Sequence, residues 1–393
     1  MSDYRIRPHL LEGAVTPPAS KSQLHRIMIA RALSGTGLPA STEPESEDLT
    51  ATRRCLEALM KGKKKLPLLD CGESGSTLRF LIPLALVLRG GAVFVGHGRL
   101  PERPIEPYVR LFEQQNIRFT REGNSLTVEG SLKAGEYRLP GDVSSQFITG
   151  LLFALPLLEG ESRIVLTTPL ESRSYVDLTL VVLKCFGVSI DMNENTFIVP
   201  GTQKFRADFV EAERDWSQGA FWYAANFLDH HVDVQGLNSN SIQGDRQIAR
   251  WYWTMARPGD VELDMSQYPD LLPAVALMAT VRAGETRLVK AGRLRDKESD
   301  RLAAVASVLK QLGAEVEELP DGLVLAGSTR FRGGVTVDSF GDHRIAMMAA
   351  IAASGCEDSV VIRNGDCVRK SYPEFWEHYR SLGGEFDVLV SGN

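Results

Sequence analysis

The chain has 393 residues, 43% of them hydrophobic and 24% charged, with a formal net charge of -6. That length allows two domains with sizeable cores, and the composition is that of an ordinary globular protein rather than a disordered or fibrous one. The acidic balance argues against a general nucleic-acid partner, and no apolar stretch is long enough to span a membrane, yet a focused basic cleft for a small anion stays open.

The start Met1-Ser2-Asp3-Tyr4-Arg5 has neither a signal-peptide core nor an amphipathic transit segment. Cys55, Cys71, Cys185, Cys356 and Cys367 show no CxxC spacing, so a reducing, cytoplasmic location is expected. The histidines form no HExxH or similar spacing, so no metal is expected.

In chain order, the first informative run is Pro17-Pro18-Ala19-Ser20-Lys21-Ser22-Gln23-Leu24-His25-Arg26. The prolines break the chain, Ser20 or Ser22 can cap, and the apolar run to Leu33 reads as a helix. Lys21 and Arg26 therefore lie near a helix N-terminus, where free backbone N–H groups already favour an anion. Asp70 to Leu81 sets Gly75, Ser76 and Thr77 before another apolar helix; Gly75 permits close approach to the backbone, but the GK[ST] ending of a nucleotide loop is missing. In Gly98 to Ile105, Pro104 restricts Arg103 to one extended conformation suited to forked recognition of an anion.

Tyr108 to Glu129 reads as helix, strand, Glu-Gly-Asn turn and strand. Ser144, Ser145 and Gln146 open the apolar helix that follows, and Ser172-Arg173-Ser174-Tyr175 opens the next. Leu178 to Val199 repeats the helix–hairpin pattern, with Gly187 as the stop and Val188-Ser189-Ile190 as the strand before an Asn-Glu-Asn turn. The polar run Val210 to Asp215 marks a crossover. Beyond it, Asp270 follows Pro269 and precedes an apolar helix. In Arg293 to Arg301, helical spacing predicts Lys297 and Arg301 on one face with Glu298 beside them. Leu302 to Leu325 is a third helix–hairpin copy, and weaker copies lie near Arg54–Leu66, Arg250–Leu263 and Trp376–Leu389. Asp338 to Arg344 is a glycine loop opening a helix, and Arg369-Lys370-Ser371-Tyr372-Pro373 precedes the final one.

Three units on each side of the crossover predict two similar α/β halves. Lys21, Arg26, Arg103, Lys297, Arg301, Arg344 and Lys370 all sit at loops or helix starts. A charge-assisted hydrogen bond contributes about 1.5–3 kcal/mol, so this many cations suit two multiply charged ligands held side by side better than one monophosphate.

The segments SKSQLHR, CGESGSTLRFL, LPERPI, GDVSSQF, SRSYVDLTL, YPDLLP, DKESDRL, GDHRIAM and KSYPEF, in this order and spacing, resemble the 5-enolpyruvylshikimate-3-phosphate synthase family of enolpyruvyl transferases over nearly the whole chain. The resemblance implies an inside-out α/β barrel of two domains, each of three βαβαββ units. The N-terminal domain would be 16–212, and the C-terminal domain 213–393 plus 1–15. It implies a site in the interdomain cleft and a cytoplasmic monomer that transfers the enolpyruvyl group of phosphoenolpyruvate to shikimate 3-phosphate, with no cofactor and no metal. Ser22, Arg26, Ser144, Ser145, Ser172, Tyr175 and Lys297 match positions for shikimate 3-phosphate, and Gly75, Arg103, Gln146, Arg301, Arg344 and Lys370 match positions for phosphoenolpyruvate. Lys21 touches both. Asp270 matches the acceptor of the hydroxyl proton and also contacts shikimate 3-phosphate; Glu298 or Lys21 would protonate the methylene carbon. The alternative is the sister transferase acting on UDP-N-acetylglucosamine, whose mobile loop carries a reactive cysteine that Gly98–Pro107 lacks.

Overall fold

A computed structural model describes residues 2–38, 43–61, 66–327 and 329–390. Part of the weak repeat at Arg54–Leu66, residues 62–65, lies outside the described residues. The chain divides into two compact units, Lys21–Ala212 and Met1–Ser20 with Glu213–Asn393. The first division falls after Ser20, because Ala19 bridges Arg214 and Ser20 N donates to Glu213 O at 2.7 Å.

The described residues of Lys21–Ala212 form three pairs of helices: α1 (Lys21–Ser34) and α2 (Glu47–Lys61), α3 (Gly75–Arg89) and α4 (Glu106–Glu113), α5 (Ser145–Ala154) and α6 (Arg173–Cys185). The second helix of each pair is amphipathic, whereas α3 and α5 are apolar almost all round because they are enclosed on every side. Ser74 caps α3 by accepting from Thr77 N, and Gly90, at a φ of 70°, ends it in the left-handed conformation. The backbones of α3 and α5 come close at Gly150, where an added Cβ would lie 2.5 Å from Arg79 O.

Two four-stranded sheets flank these helices. One runs Leu68–Asp70, Gly91–Val95, Ser125–Glu129, Arg118–Glu122; the other Glu136–Leu139, Ser162–Leu166, Thr196–Val199, Asp191–Asn193. In both, the first two strands are parallel and the rest antiparallel, so each is a βαβαββ unit closed by a hairpin. The predicted strand Val188-Ser189-Ile190 is displaced to Asp191–Asn193. The amide of Gln203 bonds both backbone groups of Ser189, at 2.8 and 2.9 Å, and so removes that residue from the ladder.

The other unit repeats the plan with α7 (Trp216–Phe227) and α8 (Gln247–Met255), α9 (Leu272–Val281) and α10 (Arg301–Gln311), α11 (His343–Ser354) and α12 (Phe375–Ser381). Every residue of α11 is buried, and its alanines let neighbouring helices approach closely. One sheet runs Val261–Asp264, Glu285–Val289, Gly322–Ala326, Val316–Leu319. The next has the same order, Thr336–Asp338, Val360–Arg363, Ser2–Arg7, Glu385–Val390, but the chain's own beginning supplies its third position. A shorter sheet pairs His231–Val234 with Glu12–Val15 in parallel. The architecture is thus the expected two-domain α/β one, built from a repeated βαβαββ unit.

Candidate active site

In the unit that holds the chain's end, the candidate residues converge on one carboxylate. Asp270 lies in a 3-10 turn, Pro269–Leu271, immediately before α9. Arg301 Nη1 donates to its Oδ1 at 2.8 Å, and Arg344 Nη2 donates to its Oδ2 at 2.9 Å. Arg301 is fully buried and uses two further donors on two more acids: Nη2 to Glu298 Oε2 and Nε to Asp342 Oδ2, both at 2.8 Å. Asp342 also caps α11 by accepting from Arg344 N and takes a hydrogen bond from Ser299 Oγ at 3.1 Å.

Burial alone would raise the Asp270 carboxyl, but Arg344, Arg301 and Lys297 outweigh it and hold the group far below the usual carboxylate range. Burial works the other way on Lys297 and lowers its ammonium to about 7, against the pull of Asp270. Arg301 is pushed upward, because Asp342, Glu298 and Asp270 together overcome its desolvation. Lys370 ends a 3-10 segment, Gly365–Lys370, and donates to Gly341 O at 2.7 Å, in the loop that starts α11.

The predicted helical face through Lys297 and Arg301 does not form. Asp300 caps α10, accepting from Ala303 N, so the helix starts at Arg301 and Lys297 is extended outside it. Arg301 instead folds back onto Glu298.

In Lys21–Ala212 the candidates cluster at the starts of α1, α3, α5 and α6. Arg26 is buried: its Nε donates to Thr179 Oγ1 at 2.8 Å, Nη1 to Ser22 O at 2.5 Å and Nη2 to Tyr175 O at 2.8 Å. Its guanidinium lies over the Phe80 ring, and burial lowers it to about 9. Lys21 Nζ pairs with Asp48 Oδ2 at 2.7 Å.

Arg103 is extended, as Pro104 requires, with a φ of -67° and a ψ of 141°. It lies against Gly75, where a Cβ would stand 2.6 Å from its Nη1. Gln146 receives Arg79 Nη1 at 2.7 Å and donates to Ser76 Oγ at 2.9 Å. Ser144 caps α5 through Gln146 N at 3.3 Å, and Ser145 is buried in its first turn. Ser172, at the start of α6, adopts a left-handed φ of 52° and makes no side-chain cap.

Sequence reasoning gave no role to four residues that hold the candidates in place: Asp48 on Lys21, Arg79 on Gln146, Asp342 on Arg301, and Ser217, which lies 3.0 Å from Arg344 Nη2. Arg79 and Asp342 fall inside the quoted segments, so their burial-prone neighbours were a usable signal; Asp48 and Ser217 had none. Among the described residues, no group of three or more His, Cys, Asp or Glu side chains is placed to hold a metal ion, and no helix is long and apolar enough to cross a membrane.

A family model for EPSP synthase (3-phosphoshikimate 1-carboxyvinyltransferase) matches residues 7–379. The 3-phosphoshikimate 1-carboxyvinyltransferase of Clostridium kluyveri is 44% identical over 426 residues and covers 100% of both chains. That of Clostridium beijerinckii is 40% identical, covering 98% of this chain and 99% of its own. An EPSP synthase structure from Acinetobacter baumannii superposes with a TM-score of 0.77 at 23% identity, covering 99% of this chain and 100% of that one. The enolpyruvyl transferase NikO from Streptomyces tendae gives 0.76 at 16% identity, with 100% of both chains covered. At these identities the two structures speak for the fold alone, and the sequence relatives speak for the family. The chain therefore belongs to the EPSP synthase (3-phosphoshikimate 1-carboxyvinyltransferase) family.

Proposed function

We propose that this chain transfers the enolpyruvyl group of phosphoenolpyruvate to the 5-hydroxyl of shikimate 3-phosphate and releases inorganic phosphate. The observation that supports the reading most is Asp270, an ionised carboxylate gripped by Arg301 and Arg344, with Glu298 on the same Arg301 fork. Simple capture of anions gains nothing from acids set among cations, whereas proton transfer needs them.

Addition comes first. The acceptor oxygen attacks C2 of the enolpyruvyl donor as Asp270 takes the hydroxyl proton, and Glu298 or Lys21 delivers a proton to the methylene carbon, which becomes a methyl group. Elimination then returns a proton from that methyl group to the side chain that delivered it, as the C2–O bond to phosphate breaks and inorganic phosphate leaves. Asp270 is a weak base while both guanidinium groups hold it. A donor anion that engages Arg301 and Arg344 shares their charge and raises its proton affinity, so basicity develops when the donor is bound. Lys21, Gly75, Arg103, Gln146 and Lys370 match the family's donor positions and would contribute to donor binding. Ser22, Arg26, Ser144, Ser145, Ser172, Tyr175 and Lys297 would hold the acceptor.

The side chains supply every proton and charge that this sequence of steps needs, so no metal or cofactor is invoked. We further place the enzyme in the cytoplasm as a monomer, to be checked by sedimentation of the purified chain. Phosphate release should require phosphoenolpyruvate and shikimate 3-phosphate together. Release driven by UDP-N-acetylglucosamine in place of the shikimate ester would overturn the assignment; the family match favours the shikimate ester.

A further inference from the structure

Residues Asp215–Gln218, at the start of α7, lie in none of the nine short segments quoted from the sequence, although the family match spans them. Asp215 caps the helix, its Oδ1 accepting from Ser217 N at 2.9 Å and Gln218 N at 3.2 Å. The same oxygen accepts the Ser217 hydroxyl at 2.6 Å. A serine has one hydroxyl proton, so this bond commits it and turns the lone pairs of Oγ the other way. They face Arg344, whose Nη2 donates one proton to Ser217 Oγ at 3.0 Å and the other to Asp270 Oδ2 at 2.9 Å. Arg344 Nη1 straddles two carbonyls, Ser217 O at 3.4 Å and Asp270 O at 3.3 Å. Asp215, Ser217 and Arg344 are all buried. One residue further on, Gln218 Nε2 donates to Ser371 Oγ at 3.1 Å, beside Lys370.

We infer that Ser217 is a positioning residue for Arg344, with Asp215 setting the direction of its hydroxyl. The inference rests on the reading of Arg344 as a ligand of the anionic enolpyruvyl donor. When the donor competes with Asp270 for the guanidinium, that anchor is weakened and a long side chain regains rotamer freedom. Ser217 holds the same two guanidinium nitrogens that face Asp270, through a buried hydroxyl and a helix-start carbonyl, so Arg344 stays aimed while its acidic partner changes. A serine that merely capped a helix would affect stability and treat both substrates alike.

The experiment compares Ser217→Ala and Ser217→Thr with the parent chain in the two-substrate phosphate-release assay, alongside thermal melting. Loss of one hydrogen bond to a charged group predicts a KM for phosphoenolpyruvate raised roughly tenfold or more in Ser217→Ala. The KM for shikimate 3-phosphate should stay within about twofold, and Ser217→Thr should restore the parent value. An unchanged donor KM, or an equal rise for both substrates, overturns the inference. If Ser217→Ala does not fold, Ser217→Cys keeps the volume, forfeits most of the hydrogen bond and is judged by the same split. Should the parent chain release no phosphate, the functional reading fails by itself. Calorimetry with inorganic phosphate then tests the positioning role: weaker binding in Ser217→Ala supports it, and equal binding overturns it.

Discussion

Arg344 Nη2 stands 2.9 Å from Asp270 Oδ2, and Arg301 Nη1 closes on the other oxygen of the same carboxylate at 2.8 Å. The carboxylate thus occupies the guanidinium positions that an incoming anion would need. A buried ion pair of this kind gives little net stability, since desolvation offsets most of the attraction. On the function proposed above, its consequence lies in binding and proton transfer.

Replacing Asp270 with asparagine keeps the shape and removes the charge. Turnover should fall about 100- to 10,000-fold, the usual contribution of a positioned acid or base. Binding of phosphoenolpyruvate or inorganic phosphate should be unchanged or tighter, because Arg301 and Arg344 no longer serve a competing anion. Single-turnover kinetics and calorimetry on Asp270→Asn check both halves. A variant that turns over normally removes Asp270 from the mechanism.

At Gly75 the limit is steric. An added Cβ would lie within 3 Å of three atoms of the Arg103 guanidinium. Arg103 is itself buried, so its displacement disturbs packing rather than costing nothing. Gly75→Ala should therefore raise the KM for phosphoenolpyruvate about tenfold, through one misplaced charge-assisted contact, and leave the folded state intact. Steady-state kinetics with each substrate varied in turn decides it; a variant with parent-like donor KM would separate Arg103 from donor binding.

His230 supplies a pH test of stability. Its Nδ1 accepts from Leu11 N at 3.1 Å. Ser354 Oγ donates to Ile351 O at 2.7 Å, so His230 Nε2 is the donor to that Oγ, 2.8 Å away. The ring is neutral and committed on both sides. Burial lowers it to about 4, with His231 and His9 adding to the effect and Asp229 opposing it. Below the ordinary histidine value of 6.5 the unfolded chain takes up a proton that the folded chain refuses. Stability is therefore lost as pH falls from about 6.5 to about 4, by roughly 3 kcal/mol from this group. Chemical denaturation at pH 7 and pH 4.5 should show a smaller difference for His230→Gln than for the parent chain. Equal pH dependence in the two would show that the histidine is not the group responsible.

Much of this molecule is legible in short stretches of chain. Pro104 alone dictates the extended backbone of Arg103. The turns at Gly123-Asn124 and Pro320-Asp321 place their hairpins correctly because turn chemistry acts over two or three residues. Failures come where a distant group intervenes. Ser189 leaves its predicted strand for a glutamine side chain fourteen residues away, at Gln203. The helix expected through Lys297 is stopped by Asp300, whose cap outcompetes a further turn of helix backbone.

The linear chain, then, already showed the repeated helix–hairpin pattern, its arrangement as two similar α/β halves and the kinds of side chain available for chemistry, because periodicity, capping and turn residues work through near neighbours. Which of those charges face one another was decided only on folding. Arg301 gathers Asp270, Glu298 and Asp342 from three separate segments, and Arg344 meets Ser217 across 127 residues of chain. The strength and proton affinity of such buried groups depend on the distance and dielectric between them, and neither quantity exists until the backbone has closed around them.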